Sequence, residues 1–107
     1  MRAALTFEGM TDLEQLAHRI RSATPAELLP DGDLDSLFLL YAMLGSSKGR
    51  DVTARDVHDA WRVWMLLRGQ GDHKSMVPFD ELTEEIQRAD IPYVKAIHTA
   101  VAPQPET

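Results

Sequence analysis

Helix-start signatures recur along this chain and constrain its fold more than any other feature. Thr11-Asp12-Leu13-Glu14 is a capping box, in which the Thr hydroxyl accepts from the Glu14 amide and the Glu14 carboxylate reaches back to the Thr11 amide. Leu13, Leu16, Ala17 and Ile20 follow at helical spacing, so a helix is predicted to about Ser22. Thr24-Pro25-Ala26-Glu27 repeats the signal with Pro at the first helical position, and Pro30 stops it within a turn or two. Asp33 caps the segment Leu34 to Leu44, which is apolar nearly all round and reads as the central buried helix, with Gly45 as its left-handed terminator. Thr53 opens the next helix, with Asp56 in the box position and Val52 placed to staple onto Val57. Val57, Ala60, Trp61, Trp64, Met65 and Leu67 form its broad apolar face, and Gly69 is the natural stop. A short helix is predicted from Asp80 to near Arg88. Asp90 reads as the cap of the last one, with Pro92 in its first turn and Ile91, Val94, Ile97 and Val101 as its inner stripe.

The fold class that follows is all-α: a single small domain of four to five helices, with a polar loop and a Pro-aromatic return near residues 69–82. Residues 1–10 read as an N-terminal tail or short packed segment, 11–102 as the helical domain and 103–107 as a disordered tail. A length of 107 residues suits one core. The absence of cysteine excludes a disulfide framework, thiolate zinc sites and cysteine nucleophiles, and it fits a reducing cytosol. The longest apolar run, Leu37 to Leu44 broken by Tyr41, is too short to span a bilayer. Glu8 soon after a short apolar stretch does not read as a signal peptide, so the expected location is cytoplasmic.

Seventeen acidic against eleven basic residues give a net charge of −6, a poor balance for general nucleic-acid binding. The charge is uneven. Residues 1–47 hold three Arg against seven acids, residues 48–74 six Lys/Arg against four, and residues 75–107 two against six. The middle of the chain is thus the only net positive stretch. It reads either as an ordinary solvated helix face or as a patch that accepts a small anion while its acidic surroundings repel polyanions.

Three kinds of chemistry deserve weighing. The order His18, His58-Asp59, Asp90 imitates the H…HD…D pattern of the all-helical HD phosphohydrolases, in which imidazoles and carboxylates converge on a metal. Against it, Asp90 has a competing role as a helix cap and His18 sits on a simple amphipathic helix. Ser46, Ser47 and Ser75 lie in turn-like loops without a nucleophile elbow, and Gly45 to Gly49 lacks phosphate-loop spacing. The third constellation is a Trp-bearing helix followed by a polar loop with His and Lys and then a Pro-aromatic return. Trp61 and Phe79 would be stacking walls, His58 would lie beside them, and Arg62, Arg68, His73 and Lys74 would be donors. Aromatic surface beside cations suits a nucleotide-like or phosphate-bearing small molecule. The competing reading makes Trp61, Trp64 and Phe79 core residues, with His58 and His73 orienting the loop.

These segments resemble the ryanodine-receptor repeat domain, a small helical module. His58-Asp59-Ala60-Trp61 corresponds to its H-x-x-W helix, Asp72-His73 to its loop, Val77-Pro78-Phe79-Asp80-Glu81-Leu82 to its return, and Asp90 to its later acid. The resemblance spans about residues 56–97. Where that family has an aromatic G-W-x-Y-G stretch, this chain has Leu67-Arg68-Gly69-Gln70-Gly71. The whole chain also resembles small proteins of actinobacteria and their phages that carry W-x-x-W-M, H-x-S-x-x-P-F-x-x-L and D-x-P-Y-V-x-A-I, here Trp61–Met65, His73–Leu82 and Asp90–Ile97. The first resemblance implies a non-enzymatic binder of a nucleotide-like ligand, and the second a phage or mobile-element setting; separately, no cofactor and no metal are expected. The alternative is a protein-interaction adaptor or homodimer using an apolar patch around Val63, Trp64 and Leu66. Neither nucleic acid nor a membrane is expected as a partner.

Overall fold

The Thr11 hydroxyl accepts from the Glu14 amide at 3.1 Å and the Glu14 carboxylate accepts from the Thr11 amide at 2.9 Å, which starts α1 (Asp12–Ala23). A computed structural model describes residues 11–102; the tails expected at 1–10 and 103–107 lie outside the described residues. Thr24 closes α1 rather than opening a new helix, since its hydroxyl donates to the Ile20 carbonyl. The Pro25 signal yields one 3-10 turn, Ala26–Leu28. The Asp33 carboxylate then accepts from the Ser36 amide at the start of α2 (Leu34–Lys48).

Gly45 does not terminate α2. The helix runs one turn further, and Gly49, at φ 57°, ends it. Gly45 is buried, and a Cβ there would lie 2.9 Å from Val101 Cγ1 and 3.3 Å from Ile97 Cγ2. The missing side chain lets α5 cross α2 closely. Ser46 and Ser47, expected in a turn-like loop, instead lie in the last turn of α2, and a 3-10 turn, Gly49–Asp51, follows it.

Thr53 and Asp56 form the second capping box and start α3 (Ala54–Leu67), which stops ahead of Gly69 at φ 73°. The return begins with the 3-10 turn Phe79–Glu81, and only then does Thr83 cap the short α4 (Glu84–Arg88). The helix expected from Asp80 is thus two elements, pinned together by Gln87, whose side-chain amide donates to the Phe79 and Leu82 carbonyls. Then α5 (Ile91–Val101) returns across the bundle. Its buried stripe is Ala96, Ile97 and Ala100, while Ile91, expected inside, is 39% exposed.

The architecture is a small all-helical domain with α2 at its centre, packed against α1, α3 and α5. Ile20, Leu37, Phe38, Tyr41, Val57, Trp64 and Ile97 are its fully enclosed side chains. Each large apolar one contributes about 1.5–3 kcal/mol by leaving water. Trp64 also ties α3 to the loop before α2: its Nε1–H donates to the Asp33 carbonyl at 2.9 Å. The Arg68 guanidinium covers its ring at 4.3 Å and fills the space beneath Gly32, whose φ of 122° admits glycine readily. Trp64 is therefore core, and the exposed patch expected around it reduces to its neighbours. Among the described residues, no helix is long and apolar enough to cross a membrane.

Candidate functional site

A cavity of about 330 Å³ opens where α2, α3 and the start of α5 meet the loops at 28–30 and 75. It is built from parts far apart in the chain: Tyr41 of α2, His58 and Trp61 of α3, Ser75 of the return, and Asp90 and Tyr93 at the head of α5. Leu28, Pro30, Ile86 and Ala89 complete an apolar rim.

Each polar side chain has a definite state. His58 is buried because it lies on the inner face of α3 one turn after Thr53, and its Nε2–H donates to the Val77 carbonyl at 2.7 Å. That bond anchors the return against α3 and leaves Nδ1 as the ring's remaining nitrogen. Trp61 stacks on the His58 ring at 5.6 Å, with planes 22° apart. Tyr93 donates its hydroxyl to the Leu28 carbonyl and lies 5.7 Å from the Tyr41 ring. The Tyr41 hydroxyl makes no hydrogen bond among the described residues, although the residue is only 2% exposed. Burial, with Tyr93 and Asp90 nearby, pushes its ionisation well above the ordinary tyrosine range, so it stays a neutral donor.

Asp90 occupies the N-cap position of α5 but makes no capping bond, contrary to the expected role. Its backbone is helical (φ −84°, ψ −13°) rather than extended, the geometry in which a cap side chain turns back onto the first-turn amides. The carboxyl lines the cavity instead. Burial pushes it up to about 6, and the His58 imidazole nearby pulls it partly back. No hydrogen bond or ion pair within 4.0 Å joins the carboxyl to another described residue.

The expected site residues divide. His58 and Trp61 line the cavity. His73 stands edge-on to Trp61 at 5.2 Å and accepts the Ser75 amide on Nδ1, so it braces the wall. Phe79 lies 6.2 Å from the His58 ring and carries the Arg55 guanidinium on its face at 5.4 Å. The expected cationic donors stand elsewhere. Arg68 covers Trp64. Arg62 leans 3.9 Å from Asp59, with a buried Nε lacking a partner among the described residues. Lys74 is exposed, one residue before the cavity-lining Ser75. The set His18, His58, Asp59 and Asp90 does not assemble either: His18 borders a separate groove between α1 and α2. No cluster of three or more His, Asp or Glu among the described residues has metal-holding geometry.

The family model for a domain of unknown function, DUF7701, matches residues 11–102. The chain belongs to this family. The matched span runs from the cap of α1 to the end of α5, so it contains every wall of the cavity. No curated protein and no solved structure matches the chain.

In this DUF7701 domain, sequence reasoning missed Tyr41, Tyr93 and the cavity role of Asp90. Tyr41 interrupts the apolar Leu37–Leu44 run, and that single hydroxyl in a buried helix was the available signal. Asp90 and Tyr93 stand three apart, one helical turn, which places both on one side of the start of α5.

Proposed function

We propose that this chain is a non-enzymatic binding module that seats a small organic molecule in the cavity between α2, α3 and the head of α5. The observation that carries this reading is the pair of polar groups, the Asp90 carboxyl and the Tyr41 hydroxyl, which line one cavity and bond no other described residue. Exchanging a bond to water for a bond to a ligand contributes about 0.5–1.5 kcal/mol, and about 1.5–3 kcal/mol where one partner is charged. A ligand that bonds both gains at two points of one cavity. The aromatic rings of Trp61, Tyr41 and Tyr93 supply flat walls, which favours a planar ligand. A nucleotide-like molecule, the class implied by the resemblance to the ryanodine-receptor repeat, would enter ring first. Its phosphates would stay near the mouth, where Lys74 precedes Ser75.

A thermal-shift series with nucleosides, nucleotides and cyclic dinucleotides tests the reading. A ligand at 100 times its Kd adds about 2.7 kcal/mol, and a domain of this size then melts about 10 °C higher. Trp61→Ala should remove the shift. Absence of a shift with every compound overturns the reading.

A second reading rests on the outer face of α3, where Val63, Leu66 and Leu67 are 45%, 61% and 73% exposed. Such a run suits a homodimer or an adaptor contact. Light scattering of the wild type and of Leu66→Lys tests it: a dimer that Leu66→Lys converts to monomer supports it, and a monomeric wild type removes the homodimer.

A further inference from the structure

We infer that the cavity recognises an amidine-type edge, a flat group with two neighbouring N–H donors, and holds it through the Asp90 carboxylate and not through phosphate contacts. The inference rests on the binding-module reading above and names the ligand chemistry of that site.

The lining leads to this class by elimination and by fit. Among the described residues no Lys or Arg lines the cavity, so an anionic group inside it would face the Asp90 carboxylate with no described Lys or Arg to offset it. The acceptor capacity is concentrated on Asp90, whose two oxygens accept no hydrogen bond among the described residues. A carboxylate with both oxygens free matches a pair of parallel N–H donors, the geometry in which charge-assisted bonds are strongest. Around it stand the rings of Trp61, Tyr41 and Tyr93, which match a planar ligand body and welcome positive charge on its faces. The Tyr41 hydroxyl can donate to a ring nitrogen or carbonyl beside the N–H edge. Neutral heterocycles with such an edge and cationic amidines share this chemistry.

The groups facing Asp90 from the packed elements are His58 from α3, Tyr41 from α2 and Tyr93 from α5. Both tyrosines stay neutral below their raised ionisation ranges, so proton-linked binding is assigned to the Asp90 carboxyl. Because the carboxyl ionises at about 6, an N–H donor ligand should bind more tightly at pH 7.5 than at pH 5.

The test uses the full chain, isotope-labelled, with benzamidine, benzamide, benzoate and inorganic phosphate as probes, followed by the Trp61 indole resonance. Benzamidine should move that resonance, bind at least about tenfold more tightly than benzoate, and weaken as pH falls from 7.5 to 5. Asp90→Asn, which keeps the shape, should weaken benzamidine about tenfold or more; Tyr41→Phe should weaken it less. Melting curves confirm that both variants fold. Tighter binding of benzoate or phosphate at the same resonance, or full benzamidine affinity in Asp90→Asn, overturns the inference while leaving the cavity a ligand site. No response at Trp61 to any probe removes the site and the inference together.

Discussion

Replacing Asp90 by Asn should stabilise the protein above pH 6 and leave it nearly unchanged at pH 4. The sign follows from proton counting. A carboxyl at about 6 in the folded chain and 3.8 in the unfolded one keeps its proton on folding throughout the interval between them. The folded state then binds more protons, so stability falls as pH rises across that interval and the loss is complete above it. A difference of that size corresponds to about 3 kcal/mol for a sealed group. The open side of the cavity admits solvent, which reduces the effect to about 1–2 kcal/mol. Urea unfolding followed by tryptophan fluorescence, from pH 4 to pH 7.5, measures it. Subtracting the variant's curve from the wild-type curve cancels every pH-dependent contribution that the substitution leaves untouched. The remaining difference belongs to Asp90. Asp33, Asp56 and Asp80 are held below the ordinary carboxylate range by Ser36, Lys48 and Arg55 respectively, with Thr53 also bonding Asp56. Their stabilising contributions are lost only as pH falls below about 4, outside this window. Parallel stability curves for wild type and variant across pH 4–7.5 would refute the argument, because Asp90 would then be no more costly to ionise folded than unfolded.

Other substitutions probe the frame around the cavity. Gly45→Val should lower stability by about 2–3 kcal/mol in denaturant titration, because a Cβ already meets Val101 Cγ1 at 2.9 Å and added methyls must push α5 from α2. Thr53→Ala should cost about 1 kcal/mol by the same assay, since it removes the hydroxyl that accepts the Asp56 amide at the start of α3. Trp64→Ala should cost about 3–5 kcal/mol, clearly more than Trp61→Ala, because Trp64 is enclosed and bonded to the Asp33 carbonyl while Trp61 is partly open.

The legible part of the fold was the local part. Thr11 with Glu14 and Thr53 with Asp56 start helices through bonds three residues apart, so the sequence alone places them. Gly45 was misread because ending a helix and admitting a neighbouring helix both exploit the missing Cβ, and only the position of Val101 distinguishes them. Two of the expected donors, Arg62 and Arg68, stand away from the cavity for reasons of helix geometry. Arg62 follows Trp61 by one residue, about 100° around the helix, so the two cannot face one cavity. Arg68 shares the direction of Trp61 but stands about 10 Å further along the axis, where it covers Trp64.

Asp90 shows why the site itself was harder to read than the helices. A carboxyl just before a helix is normally explained by capping, and that explanation needs no tertiary partner. Here the backbone of Asp90 is helical and its preceding residue, Ala89, also sits in the helical region, so α4 passes into α5 almost without a break. The first-turn amides of α5 lose their side-chain acceptor, and the carboxyl turns to a space bounded by residues up to about 60 positions away in sequence. Burial there makes ionisation costly, and a chain under selection for stability alone would accept Asn or Ser at this position with a gain. Under the proposed binding role, the Asp90 carboxyl and the Tyr41 hydroxyl, neither bonded to another described residue, are the two groups of this cavity that a ligand would engage.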